Sequence, residues 1–137
     1  MRLLCLFASF CLLALPCSLN AQPDVFHVPF SFVAFDSDFP AGDYIVKAQT
    51  HNLKLALAGD PRSLKCLSAQ PGRAMEFSGL NTMVFEKIGN LYVLREYRIG
   101  ALGAVRALPL SKSRREVVSS YIARGYRPEP VLIAAGL

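Results

Sequence analysis

The chain has 137 residues, with 15 Lys and Arg against 10 Asp and Glu, giving a formal net charge of +5. It is 53% hydrophobic and 18% charged, with 9 Gly and 9 Pro. This length predicts one domain; the composition excludes a disordered, collagen-like or low-complexity chain, and the charge excludes a strongly acidic one.

Residues 1–21 read as a secretory signal peptide: Arg2, an apolar run from Leu3 to Leu15, and a small residue, Ala21, before Gln22. The run is too short for a membrane-spanning helix, which needs about 20 apolar residues. Cleavage after Ala21 is expected, which exports the chain to the periplasm or cell exterior without a transmembrane segment. A lipid-anchored alternative would place Cys17 at the new terminus, but Pro16 stands where a small residue is needed. Cys5, Cys11 and Cys17 leave with the leader, so only Cys66 remains and the domain must be held by its core. Cys66 itself reads as a small side chain facing that core, with a reactive thiol or an intermolecular bridge as the alternative.

From Val25 to Ala34 apolar and other residues alternate with a period of two, the pattern of a strand. Pro29 cannot donate to a ladder and marks this strand as an edge or as just entering a sheet. Asp36 and Asp38 read as a solvated turn, and Phe39-Pro40-Ala41-Gly42 as a tight turn before a second strand, Asp43 to Gln49. Leu53, Leu55 and Leu57 give the next strand one apolar face. Asp60-Pro61-Arg62-Ser63 ends it, and Leu64 to Ala69 and Ala74 to Phe77 are shorter strand candidates.

The clearest local signal is Gly89-Asn90 between Thr82–Ile88 and Leu91–Ile99, a two-residue hairpin. Its register sets Ile88 opposite Leu91, Glu86 opposite Val93 and Phe85 opposite Leu94. Glu86 and Arg95 become diagonal partners, and the Ile88–Leu91 face is expected to be partly covered. A last strand is expected over Val105 to Leu110. Ser113-Arg114-Arg115-Glu116 reads as a capping box opening a helix from about Arg114 to Arg124, with Gly125 as its left-handed stop. Val117 with Tyr121, and Val118 with Ile122, give that helix an apolar stripe. The expected organisation is a signal peptide over 1–21, a β-rich domain over 22–125 ending in the helix, and an extended tail over 126–137. The fold class is mainly β, a small antiparallel barrel or sandwich of about six to eight strands with one C-terminal helix.

Catalytic chemistry finds little support in these residues. His27 and His51 have no nucleophile motif beside them, and no catalytic residue is assigned. No Cys or His pair has metal-ligand spacing, Asp36 and Asp38 lack the rest of a cation loop, and no Gly-rich phosphate loop is present, so neither a metal nor a cofactor is expected. Nucleic-acid binding is not expected of an exported chain whose aromatics alternate as core positions. The charge is uneven, however. Residues 22–86 carry five Lys and Arg against seven acids, and residues 87–137 carry nine against three. Lys112, Arg114 and Arg115 crowd the end of the helix whose dipole disfavours cations, so they are the candidate contacts for an anionic ligand, partner or surface. A carboxylate of the protein itself, with Glu116 nearest in sequence, is the competing way to offset them.

Three segments together resemble an uncharacterised family of small secreted β-rich bacterial proteins. Val28-Pro-Phe-Ser-Phe-Val33 with Phe39-Pro-Ala-Gly-Asp-Tyr44 is similar to that family's opening, Met83 to Leu94 to its central hairpin, and Leu108-Pro-Leu110 with Ser113-Arg-Arg-Glu116 to its close. The chain departs from the pattern at Ser31, where an acid is usual, and at Phe39, where Leu is. The resemblance implies bacterial export and a β-rich fold, and it carries no catalytic residue. Three functions are therefore expected in this order: a non-enzymatic binding or structural module, a cryptic cell-wall or extracellular hydrolase using His27 or His51, and a barrel holding an apolar ligand inside.

Overall fold

The computed structural model describes residues 24–73 and 79–136. The segment expected as a leader, with its three cysteines, and the strand expected over Ala74 to Phe77 lie outside the described residues. The described residues form a mainly β fold of two sheets with a single C-terminal helix, consistent with a sandwich.

Alternation builds the first sheet. Phe26 and Val28 of β1 (Val25–Val28), Tyr44 and Val46 of β4 (Gly42–Ala48), and Leu53 and Leu55 of β5 (Asn52–Leu57) all point inward and are buried. With β6 (Lys65–Ser68) they pair antiparallel in the order β1-β4-β5-β6. The run read as one strand from Val25 is broken at Pro29. β1 stops before it at the sheet edge, and β2 (Phe32–Ala34) starts after Ser31 in the other sheet.

The second sheet is built around β8 (Thr82–Ile88) and β9 (Leu91–Ile99), which lie where the hairpin pattern places them. Ile88 faces Leu91, Glu86 faces Val93 and Phe85 faces Leu94, with an irregularity between Val84 and Phe85. Gly89 at φ 62° supplies the left-handed turn residue. β10 (Ala104–Ala107) flanks the far half of β9 and pairs in turn with β7 (Gln70–Pro71). Val33 of β2 pairs with Val93 beyond it, and β3 (Ser37–Phe39) pairs with β2. The segment expected as a tail instead holds β11 (Glu129–Ala134), six residues paired along β8. Pro130 is tolerated there because β11 is an edge strand. Eleven strands among the described residues thus replace the expected six to eight, since long alternating runs are cut into short pieces that serve different sheets.

Aromatic rings fill the space between the sheets. Phe32 stacks on Phe39 at 5.0 Å between ring centres and meets Tyr44 and Phe85 edge-on at 5.3 and 5.1 Å. Phe30 bridges Phe85 and Tyr92, and Phe26 meets Tyr97. Each fully buried ring stabilises the fold by roughly 1.5–3 kcal/mol through area alone. The sandwich is tied at both margins. The chain runs from β6 in one sheet into β7 in the other, and Val25 bridges Gly136 to join the outer edges of β1 and β11. Asn81 reinforces that corner, donating to the Asp24 carboxylate while its Oδ1 accepts from the Gly100 amide at 2.9 Å.

α1 (Lys112–Ala123) lies outside the second sheet with no fully buried residue. Its expected stripe is only partly used. Val118 and Tyr121 are half-buried, whereas Val117 and Ile122 are exposed. The helix covers the Ile88 and Val93 positions of the hairpin with Val118, leaving a cleft of about 210 Å³ that Arg115 and Arg95 also line. Gly125, at φ 97°, ends it as the sequence predicts.

Candidate functional site

The cationic cluster at the start of α1 meets the tip of the β2–β3 hairpin. That tip is a two-residue turn, Phe35-Asp36, between the paired residues Ala34 and Ser37. Phe35 adopts φ 53°, a left-handed conformation that an aromatic residue rarely takes. The turn aims its polar groups at the helix. The Phe35 carbonyl accepts from the Ser111 amide at 3.4 Å, and Asp36 Oδ1 accepts from the hydroxyls of Ser111 (3.0 Å) and Ser113 (3.3 Å).

This contact corrects the expected cap. The N-cap is Ser111, whose Oγ accepts from the Arg114 amide at 3.3 Å, so the helix starts at Lys112 rather than Arg114. Ser113, the residue expected to cap, gives its hydroxyl to Asp36 instead. Glu116 makes no reciprocal contact among the described residues, because it stands at the fifth helical position, two beyond the third, from which a Glu reaches back to the cap.

Arg114 lies against the same hairpin, with Nη2 at 3.0 Å from Asp38 Oδ2 and Nε at 3.6 Å from Asp36 Oδ1. Two carboxylates read from sequence as a solvated turn therefore offset the guanidinium, and they sit at the positive end of the α1 dipole. Lys112 and Arg115 flank this clamp. Both are exposed, and neither side chain has a hydrogen bond, an ion pair or a ring contact among the described residues. The three candidate residues thus divide: one is held by the protein, and two present unspent charge to solvent. Asp36 and Asp38 are the partners that the sequence reading missed. The signal was the acid-x-acid spacing itself, but nothing local says which cation it faces.

The other candidates lie elsewhere. His27 Nδ1 sits 2.6 Å from Asp43 Oδ1 on the outer face of the first sheet, with side chains 77% and 55% exposed, and neither lines any of the clefts described here. His51 is exposed in the turn before β5. Cys66 faces solvent, not the core, because Leu67 takes the inward position of β6. No group of His, Cys, Asp and Glu among the described residues is arranged to hold a metal ion. The hairpin pair appears as read, with Arg95 Nε 3.5 Å from Glu86 Oε2.

Two tyrosines carry the displaced titrations. Burial, and secondarily the charge of Asp24, push Tyr97 up to about 12, although a hydrogen bond with Asn81 works the other way. Burial also raises Tyr44, whose hydroxyl donates to the Pro40 carbonyl. Both shifts report a packed interior. No helix among the described residues is long and apolar enough to cross a membrane. No family model matches the chain, and neither a curated protein nor a solved structure does.

Proposed function

We propose that the chain is an exported, non-enzymatic binding module that presents Lys112 and Arg115 to an anionic partner. The observation that carries this reading is the division of the cluster. Asp36 and Asp38 lock Arg114 and the start of α1 in place, so the two flanking cations stand on a fixed base with no carboxylate paired to them among the described residues. Export is supported by the leader pattern and by the resemblance to small secreted bacterial proteins. A binding role is favoured over hydrolysis because His27 pairs with Asp43 on an open strand face, with no nucleophile in that pair. The aromatic core fills the interior, which favours a surface partner over a ligand held inside.

Retention on immobilised heparin, a polyanion, tests the reading. The double variant Lys112→Glu/Arg115→Glu is expected to elute at clearly lower salt than the parent, with unchanged circular dichroism. Equal elution of the two proteins overturns it.

A further inference from the structure

The outer face of the first sheet holds a second arrangement. β4 turns Ile45 and Lys47 outward, β5 turns Lys54 and Ala56 outward, and the register sets Ile45 opposite Ala56 and Lys47 opposite Lys54. An apolar row and a doubly cationic row therefore lie side by side. Past Ala56 the chain turns through Gly59, Asp60 and Pro61 and returns with Leu64, whose side chain is 55% exposed beside the apolar row. Together these residues line an open groove of about 430 Å³, within the usual range for small-molecule sites of roughly 300–1,000 Å³.

The lysine row is the informative part. Like charges directly opposite on neighbouring strands are destabilising. Three other strand cations have something to rest on: Lys65 lies over the Phe39 ring, Lys87 over the Tyr92 ring, and Arg106 donates to the Gln49 carbonyl. Lys47 and Lys54 have no such partner among the described residues. The groove's one acid, Asp60, lies at the opposite end and accepts from the Arg62 amide. The groove is thus apolar along its length, acidic at one end and doubly basic at the other.

We propose that this groove binds a soluble amphipathic carboxylate, its apolar tail along Ile45, Ala56 and Leu64 and its anionic head between Lys47 and Lys54. The head relieves the lysine repulsion, and Asp60 repels it from the wrong end, so the ligand has one orientation. The α1 surface plays no part in this site.

The test is titration of the purified chain with sodium decanoate, followed by amide NMR. Saturable shifts are expected around Ile45, Ala56 and Leu64, with affinity falling about fourfold for each methylene removed from the acid. Lys47→Gln/Lys54→Gln is expected to weaken decanoate at least tenfold while melting at or above the parent temperature without ligand, which separates lost binding from lost folding. Lys112→Glu/Arg115→Glu should leave decanoate binding unchanged, so this site and the α1 surface stand or fall separately. Shifts that never saturate, decanol binding as tightly as decanoate, or equal binding by the Lys47/Lys54 variant each overturn the proposal.

Discussion

Arg114 and Lys54 are both half-buried cations on the outside of a sheet layer, yet one faces two carboxylates and the other a second lysine. Arg114 reaches across 76 residues of sequence to Asp38, and that contact helps fix a helix that buries almost nothing of its own. Lys54 faces Lys47 through strand register alone, and the strands hold without help because Val46, Leu53 and Leu55 are buried behind them. Charge is compensated where the fold needs it to position an element. Where the core already positions the element, charge can stay uncompensated and free for something else.

The sharpest way to break this contrast is through the ring that supports the hairpin. Phe32→Ala should cost about 3–5 kcal/mol in urea unfolding, since Phe32 joins the rings of Phe39, Tyr44 and Phe85 and carries β2 toward α1. Next comes the cap: Ser111→Ala should cost about 1 kcal/mol, with the loss of ellipticity confined to the helix. Phe35→Asn should act in the opposite direction, gaining a few tenths of a kcal/mol or more, because Asn tolerates the left-handed conformation that Phe35 adopts. The smallest effect is expected on the other side of the comparison, where Lys47→Gln alone should raise stability by a fraction of a kcal/mol, roughly 0.2–1.

Alkaline titration checks the core that both regions share. Tyr97 and Tyr44 have folded-state pKa values raised above the ordinary 10.0, so the folded state binds their protons more tightly than the unfolded state does. Their contribution is complete below about pH 10 and is lost as pH rises toward about 12, where Tyr97 ionises. Ultraviolet absorbance should show part of the phenolate signal arriving only with alkaline unfolding.

Local chemistry made much of this fold readable in advance. Gly89-Asn90 dictates a turn, the turn dictates the register, and the register places Glu86 beside Arg95, so the hairpin could be read to the residue. Gly125 was equally plain, because a helix stop needs only its own backbone angle. The errors fall where a distant segment decides. Ser111 and Ser113 are both good caps, and what chooses between them is the Phe35-Asp36 turn, some 75 residues away in sequence. β11 was hidden by Pro128 just before it and Pro130 within it, which suit an edge strand as well as a loose tail. Cys66 was misjudged because strand phase in a four-residue strand depends on a single neighbour, Leu67. The lysine pair was invisible for the same reason: Lys47 and Lys54 become neighbours only through the pairing of β4 with β5.

The Val25–Gly136 bridge has a consequence for how such a molecule is made. The opening strand is latched by a residue that follows β11, and β8 is flanked by that same β11. Until those distant segments meet, the margin between β1 and β11 stays open, and contacts so far apart in sequence are the slow ones to form. Closing that seam is a late step, and removing β11 should leave the outer edges of β1 and β8 bare and lower the melting temperature.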